Sequence, residues 1–383
     1  MDAVAVGLTL WLAPATGAAL YYFIFTLLGW TARRPTAAAP PRLHVTVLIP
    51  AHDEERTVAD AVRSVAACDY PAALLNVVVV ADNCTDGTAA VARGLGAGCL
   101  ERADPARRGK GFALAFGLER LLRTPTDVVL VLDADCEVGP RAVRRLVAAL
   151  EAGADVAQAA VVTRNPQVAP AGLIAGVGGQ LENAVAAGRD RVGLGTGLRG
   201  TGMAFRRAVL AAHPWDAYGL TEDAEYAGRL QAAGVAVRFV LDAEVRSEAP
   251  PTADAFGTQR ERWRAALFTP GFGVLHKLLS SKPLVLAHLA ATLAGVAAAL
   301  PWLPAAAGLG AAAWAAGLVV LTALPYLYAI RRGDYDTGGV GGLARSVLLT
   351  TRLVAVTVGG RRRPGRGWQR TLRVAETTAG GRA

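Results

Sequence analysis

Val128-Val129-Leu130-Val131-Leu132-Asp133-Ala134-Asp135 is the stretch that decides the fold. Five apolar residues in a row are long enough for a strand. They show no polar alternation, as expected of a strand buried on both faces. Similar runs precede this one at 44–49 and 76–80. Helical stretches follow the three runs at 54–67, 88–95 and 138–150. Apolar strands alternating with helices predict an α/β domain with a mostly parallel sheet, from residue 43 to about 246. In such sheets ligands bind beyond the carboxyl ends of the strands.

Those ends carry the polar residues. The first run leads into Pro50-Ala51-His52-Asp53-Glu54-Glu55. The second leads into Ala81-Asp82-Asn83-Cys84-Thr85-Asp86-Gly87-Thr88, and the third into Asp133-Ala134-Asp135. Taken singly, Asp53 or Thr85 reads as a cap of the next helix. Three acidic clusters at successive strand ends predict one crevice. Asp133 and Asp135, two apart in extended backbone, face the same side and suit Mg²⁺ or Mn²⁺.

Lys110 lies in Arg107-Arg108-Gly109-Lys110-Gly111, just before a helical stretch at 112–123. A helix start with nearby cations attracts anions. Residue 104 is Asp and residue 111 is Gly, so this is not a P-loop. A phosphate contact and a solvated basic loop both fit. Thr221-Glu222-Asp223 opens a helix at 224–232, where an acid serves as a cap or as a base. Ahead of it lies Arg199-Gly200-Thr201-Gly202-Met203-Ala204-Phe205, whose glycines, Gly200 and Gly202, suit a loop where backbone meets a ligand closely, with Gly202 taken as a substrate contact. Further on, Gln259-Arg260-Glu261-Arg262-Trp263 puts Gln259, Arg262 and Trp263 on one helix face. Arginine grips phosphate bidentately and indole offers a flat surface to a sugar ring.

Of the 383 residues, 53% are hydrophobic, and the mean hydropathy is +0.33. The apolar excess gathers at the two ends. Residues 4–30 carry no charge and are long enough to span a bilayer. Arg33 and Arg34 follow them, which places the N-terminus outside and the middle domain in the cytoplasm. Residues 283–330 lack Asp, Glu, Lys and Arg and predict two more spans, broken at Pro301-Trp302-Leu303-Pro304. Arg331 and Arg332 return the chain to the cytoplasm. Segments 256–279 and 340–357 read as interfacial helices, the second alternatively as a third span. The net charge is +9, with arginines beside the apolar segments. That pattern suits membrane lipids and argues against a nucleic-acid partner. Four cysteines without C-x-x-C spacing read as reduced thiols, and five histidines form no metal-binding spacing.

The ordered set of P-A-x-x-E, D-x-D, T-E-D and Q-x-x-R-W, over residues 43–265, resembles family 2 glycosyltransferases of GT-A fold. It is most similar to the branch with cellulose, chitin and hyaluronan synthases and ceramide glucosyltransferase. The resemblance implies a Rossmann-like GT-A domain at 43–255, interfacial helices at 256–282, spans at 1–32 and 283–332, and a basic tail at 333–383. It implies transfer from a UDP-sugar to a lipid or glycan acceptor with Mg²⁺ or Mn²⁺, on the cytoplasmic face of a plasma membrane. By the same resemblance, Pro50, Ala51, Glu54 and Asp82 would contact the uridine side of the donor, and Asp133 would help hold the nucleotide. Asp135 would bind the metal, with Lys110, Gly202 and Glu222 lining the substrate site. Asp223 would be the general base, and Gln259, Arg262 and Trp263 would close over diphosphate and acceptor. His52-Asp53 departs from the more usual Tyr-Asn, and Ala81-Asp82-Asn83 from Asp-Asp-Gly. A nucleotidyltransferase would carry a Gly-rich G-x-G-T-R-like loop after the first strand, which is missing. A non-catalytic sugar-nucleotide-binding protein would have lost some of these acids, and all are present. The sugar, the acceptor, single versus processive transfer and the oligomeric state stay open. Ala, Gly and Arg usage points to a GC-rich bacterial genome.

Overall fold

The computed structural model describes residues 3–31, 40–167, 170–249 and 282–335. One mixed eight-stranded sheet organises the chain between its apolar ends. In sequence the strands are β1 (Val45–Ala51), β2 (Leu75–Asp82), β3 (Gly98–Arg102) and β4 (Val128–Val131), then β5 (Cys136–Val138), β6 (Val156–Thr163), β7 (Met203–Arg206) and β8 (Val237–Ser247). Their order in the sheet is β3-β2-β1-β4-β7-β6-β8-β5. The first four pair in parallel, β7 runs antiparallel to both β4 and β6, and β6 pairs in parallel with β8. The sheet is therefore mostly parallel, as the apolar runs predicted.

The continuous apolar runs are explained by burial on both faces. In β4, Val128 and Leu130 join one core, with Leu146 and Leu150 of α5 (Ala142–Glu151). Val129 and Val131 point the other way, into a core with Leu114 and Leu118 of α4 (Lys110–Leu121). Alternation in β1 is the same, with Val47 and Ile49 on one face and Leu48 on the other. Helices α2 (Val58–Ala66), α3 (Thr88–Gly94), α7 (Arg207–Ala212) and α8 (Glu222–Ala232) complete the layers. Two predicted boundaries move. Helix α2 begins at Val58, leaving Glu54 and Glu55 in the loop, and residues 136–138 form β5 rather than the start of α5.

Helix α6 (Pro170–Arg191) joins the sheet to the apolar ends. It packs on α1 (Ala3–Trp30) and α10 (Ala305–Gly333), where Tyr22, Leu181, Val185 and Ala329 share one cluster. Close approach is allowed by small residues: a Cβ on Gly188 would overlap the Phe25 carbonyl, and one on Gly29 the Ala184 carbonyl. Helix α9 (Lys282–Ala299) is separated from α10 by a short 3₁₀ turn, Leu300–Trp302, and Pro304, where the break was predicted. Among the described residues, Leu12–Trp30 and Ala305–Gly333 are long and apolar enough to cross a membrane. The predicted segments at 256–279 and 340–357, and the tail, lie outside the described residues.

Overpacking of a tight contact costs roughly 1–3 kcal/mol. Gly188→Val should therefore lower the thermal unfolding midpoint of the purified protein by several degrees. Ala61→Val, buried in α2, is the comparison. An unchanged midpoint for Gly188→Val would show that α1 does not seat on α6 this closely.

Candidate active site

The site lies beyond the carboxyl ends of β1, β2 and β4. Its centre is an ammonium among acids. Lys110, the first residue of α4, places Nζ 2.5 Å from Asp133 Oδ1 and 3.6 Å from Glu222 Oε1. The same Nζ donates to the Gly200 carbonyl at 2.8 Å. Asp223 faces this group: a Cβ on Gly200 would sit 3.2 Å from Lys110 Nζ and 3.6 Å from Asp223 Oδ2. Three separate segments, the starts of α4 and α8 and the turn after β4, thus meet across one loop. Of the two openings left for Lys110, the solvated loop is set aside by these contacts.

The loop is held from below. Gln158 is fully buried in β6, and its Nε2 donates to the Thr201 carbonyl at 2.9 Å while its Oε1 accepts from Arg199 N–H at 3.0 Å. Thr201 Oγ1 accepts from Asp133 N–H at 3.1 Å, which fixes the turn carrying the acids. Gly200 has φ +79°, so a side chain there would meet both strain and the Lys110 ammonium. Gly202 lies one step deeper. It donates its N–H to the Val131 carbonyl at 2.8 Å and would bring a Cβ within 2.7 Å of Ala159 Cβ. Gly202 thus joins the loop to the sheet, and Gly200 is the glycine that meets the acids.

Charge is out of balance here. Among the described residues, Asp133, Glu222 and Asp223 share one ammonium, and Asp135 lies beside Asp133. Burial raises the pKa of Asp133 against the pull of Lys110, and Asp135 adds to the rise. Burial likewise raises Glu222 and Asp223, again opposed by Lys110. Burial works against the Lys110 ammonium, but Asp133 and Glu222 outweigh it and its pKa is raised. Carboxylates pushed up in this way have an unmet demand for positive charge. Asp133, Asp135 and Cys136 offer ligand atoms within 4.8 Å of one another. Burial and the two acids keep the Cys136 thiol far above its ordinary pKa, so the oxygen donors fit a hard divalent cation and the thiol does not. A second acidic group, Asp53, Cys84 and Asp86, is occupied within the fold. Asp53 Oδ1 accepts from Thr85 N–H at 2.6 Å, and Asp86 Oδ1 accepts from Thr88 N–H at 3.0 Å. The N-cap position of α3 is Gly87, and Asp86 before it accepts from the N–H of Thr88, the first helical residue. Asp53 and Thr85 instead bind each other across two loops.

The end of β2 forms the flank of the crevice. Pro50 and Ala51 stand in register with Val80 and Ala81. Asp82 is almost wholly buried; its Oδ1 accepts from Arg102 Nη1 at 2.6 Å and from Asn83 Nδ2 at 3.1 Å. Arg102 also donates to the Arg107 carbonyl at 2.8 Å, tying β2 to the loop before Lys110. His52 Nδ1 donates to the Asp82 carbonyl at 2.7 Å. Glu54, also buried, accepts from Thr57 Oγ1 at 2.6 Å. Asp53 and Asn83 have φ of 51° and 52°, strained values that non-glycine residues adopt mainly as Asp or Asn. Gln259, Arg262 and Trp263 lie outside the described residues. Arg102, Gln158 and Thr201 were not singled out by sequence. Only Gln158 gave a signal, as a lone amide within the apolar run of β6.

Residues 40–266 match the family described as Glycosyltransferase like family 2. The chain belongs to that family. The expectation of a family 2 glycosyltransferase is thus borne out. The chain is 29% identical over 235 residues to Probable glycosyltransferase YdaM of Bacillus subtilis, covering 57% of this chain and 54% of the relative. It is 29% identical over 246 residues to Beta-monoglucosyldiacylglycerol synthase of Synechocystis, covering 59% of this chain and 48% of the relative. The chain spans about half the length of these curated relatives. Its fold is like that of the mannosyltransferase PcManGT from Pyrobaculum calidifontis, solved in complex with GDP-Man and Mn²⁺. The TM-score is 0.57 at 21% identity, over 93% of this chain and 97% of that one. At that identity the likeness is one of fold, and the α/β GT-A architecture expected from the sequence stands.

Gly200→Ala should lower turnover by about tenfold or more, through displacement of Lys110 and Asp223, a shift of the kind that costs up to ~10²-fold. Circular dichroism should be unchanged. Full activity in the alanine variant would show that Lys110 and Asp223 tolerate a side chain between them.

Proposed function

We propose that this family 2 glycosyltransferase moves a sugar, with inversion, from a UDP-sugar to an acceptor hydroxyl at the cytoplasmic membrane face. The observation that carries the reading is Lys110 bridging Asp133 and Glu222 with Asp223 beside it. Asp133 and Asp135 would hold Mg²⁺ or Mn²⁺, which offsets negative charge on a leaving diphosphate. Pro50, Ala51, Glu54 and Asp82 flank the place for the nucleoside. Arg102 holds the Asp82 carboxylate still, so that side of the pocket is preorganised.

Asp223 takes the proton of the attacking hydroxyl as the new C–O bond forms on one face of the sugar. The bond to the diphosphate breaks on the opposite face, which inverts the centre. Lys110, aimed by the Gly200 carbonyl, stays within reach of the departing charge. Gln259, Arg262 and Trp263 would cover the diphosphate and acceptor from the membrane side.

A lipid-linked or short glycan acceptor is favoured. The Synechocystis relative is named for a glucosyldiacylglycerol product, with which a lipid acceptor agrees. Helices α1 and α10 are read as membrane spans, with Arg331 and Arg332 at the cytoplasmic end of α10.

Purified protein given labelled UDP-sugars or GDP-sugars with membrane lipids should yield a label that partitions into organic solvent, with the UDP donor. A large water-soluble product would sink the lipid acceptor. Asp223→Asn should lower kcat by about 10²–10⁴-fold with donor affinity unchanged. Normal turnover in that variant would refute the base. Because burial raises the Asp223 pKa, its base form is lost at a higher pH than an ordinary aspartate's ~3.9. The acid limb of kcat/KM should accordingly lie above that value, with activity falling as pH drops through it.

A further inference from the structure

A cavity of about 1280 Å³ lies between β8 and the facing ends of α1 and α10. It is remote from Lys110: β7 and β6 stand between β8 and β4, and the residues of β8 that border it, 238–242, belong to the strand's N-terminal half. Strand β5 pairs with β8 only through Val245–Ser247, so among the described residues no strand covers that half of β8 on its outer side.

The walls divide by chemistry. Phe23, Leu27 and Trp30 of α1 and Leu324, Leu327 and Tyr328 of α10 form an apolar side. Trp30 and Tyr328 approach each other, with ring centroids 5.6 Å apart. Arg191, Arg238, Arg331 and Arg332 line the other side, with Asp190 and Asp242. Both acids are already engaged. Asp190 pairs with Arg238 at 2.8 Å, and Asp242 pairs with Arg145 of α5 at 3.2 Å. Arg191 bonds the Thr31 carbonyl and hydroxyl, and Arg332 donates to the Leu241 carbonyl at 3.4 Å. Among the described residues, none of Arg191, Arg331 and Arg332 has a carboxylate within ion-pair distance. Three uncompensated cations therefore share a cavity with an apolar wall.

We propose that this cavity holds an anionic phospholipid of the surrounding bilayer, separate from donor and acceptor. Its phosphate would lie against Arg191, Arg331 and Arg332, and its acyl chains along Phe23, Leu27, Leu324 and Leu327. Arginine forks suit a phosphodiester, and cations at a membrane's cytoplasmic surface draw anionic headgroups. A free phosphate would leave the apolar wall in water, which disfavours it. The lipid would fasten the back edge of the catalytic sheet to the membrane. The inference rests on the reading of α1 and α10 as spans.

The test uses full-length protein in detergent, exchanged with phosphatidylglycerol or phosphatidylcholine and examined by native mass spectrometry. Wild type should retain phosphatidylglycerol in preference to phosphatidylcholine, and each of Arg191→Gln, Arg331→Gln and Arg332→Gln should weaken that retention about fivefold. Arg63→Gln and Arg123→Gln, exposed cations elsewhere, should not. Retained sugar transfer in the three variants shows that they fold. Equal retention of both lipids by wild type, unchanged retention in the variants, or displacement of lipid by inorganic phosphate would each overturn the proposal. Carbonate washing of membranes separates the two readings. Release of the protein refutes the spans themselves, whereas a protein that stays bound without lipid preference refutes only the lipid site.

Discussion

The Lys110 ammonium is the interaction on which the candidate site depends. Among the described residues it is the cation that meets Asp133, Glu222 and Asp223, and it holds three chain segments in place at once. Without it, Glu222 and Asp223 at the start of α8 would face the turn after β4 as like charges. Even with it, Asp133, Glu222 and Asp223 keep raised pKa values, because one ammonium does not balance four acids. The imbalance is the ground for the proposal that a divalent cation is held here. The Gly200 carbonyl aims the ammonium, and Gln158 fixes the Gly200 loop from within the sheet. A buried amide in β6 thus reaches the chemistry through two hydrogen-bonded steps.

Much of this was legible in the sequence because burial on two faces leaves a plain mark. The runs at 44–49, 76–80 and 128–132 became β1, β2 and β4 within a residue or two, and their acids met where strand ends must meet. The antiparallel insertion of β7 between β4 and β6 was not legible. It depends on Gly202 fitting against Ala159, a contact between residues far apart in the chain. The role of Arg102 was hidden for a similar reason. A lone arginine ending a short strand looks solvated, yet here it is buried against Asp82. Caps were misread because Asp53 and Thr85 bind each other across two loops, and the N-cap positions of α2 and α3 are Thr57 and Gly87. Lys110 stood between two readings until its distance to Asp133 was known.

The apolar ends are packed into the fold. Helix α6 leaves the sheet and packs on α1 and α10, so the position of those two helices is transmitted to β6 and β8 by direct contact. Small residues at Gly29 and Gly188 let those backbones approach, and Arg332 reaches the β8 edge.

Manganese binding followed by electron paramagnetic resonance tests the central claim most directly. The free-ion signal of Mn²⁺ should fall on addition of the protein, with one site that Asp135→Asn weakens at least about tenfold, as loss of a charged ligand does. Asp86→Asn, in the acidic group already engaged by the fold, should leave that site unchanged. Equal binding by wild type and Asp135→Asn would contradict the account, because the acids around Lys110 would then not be the place where a divalent cation is held.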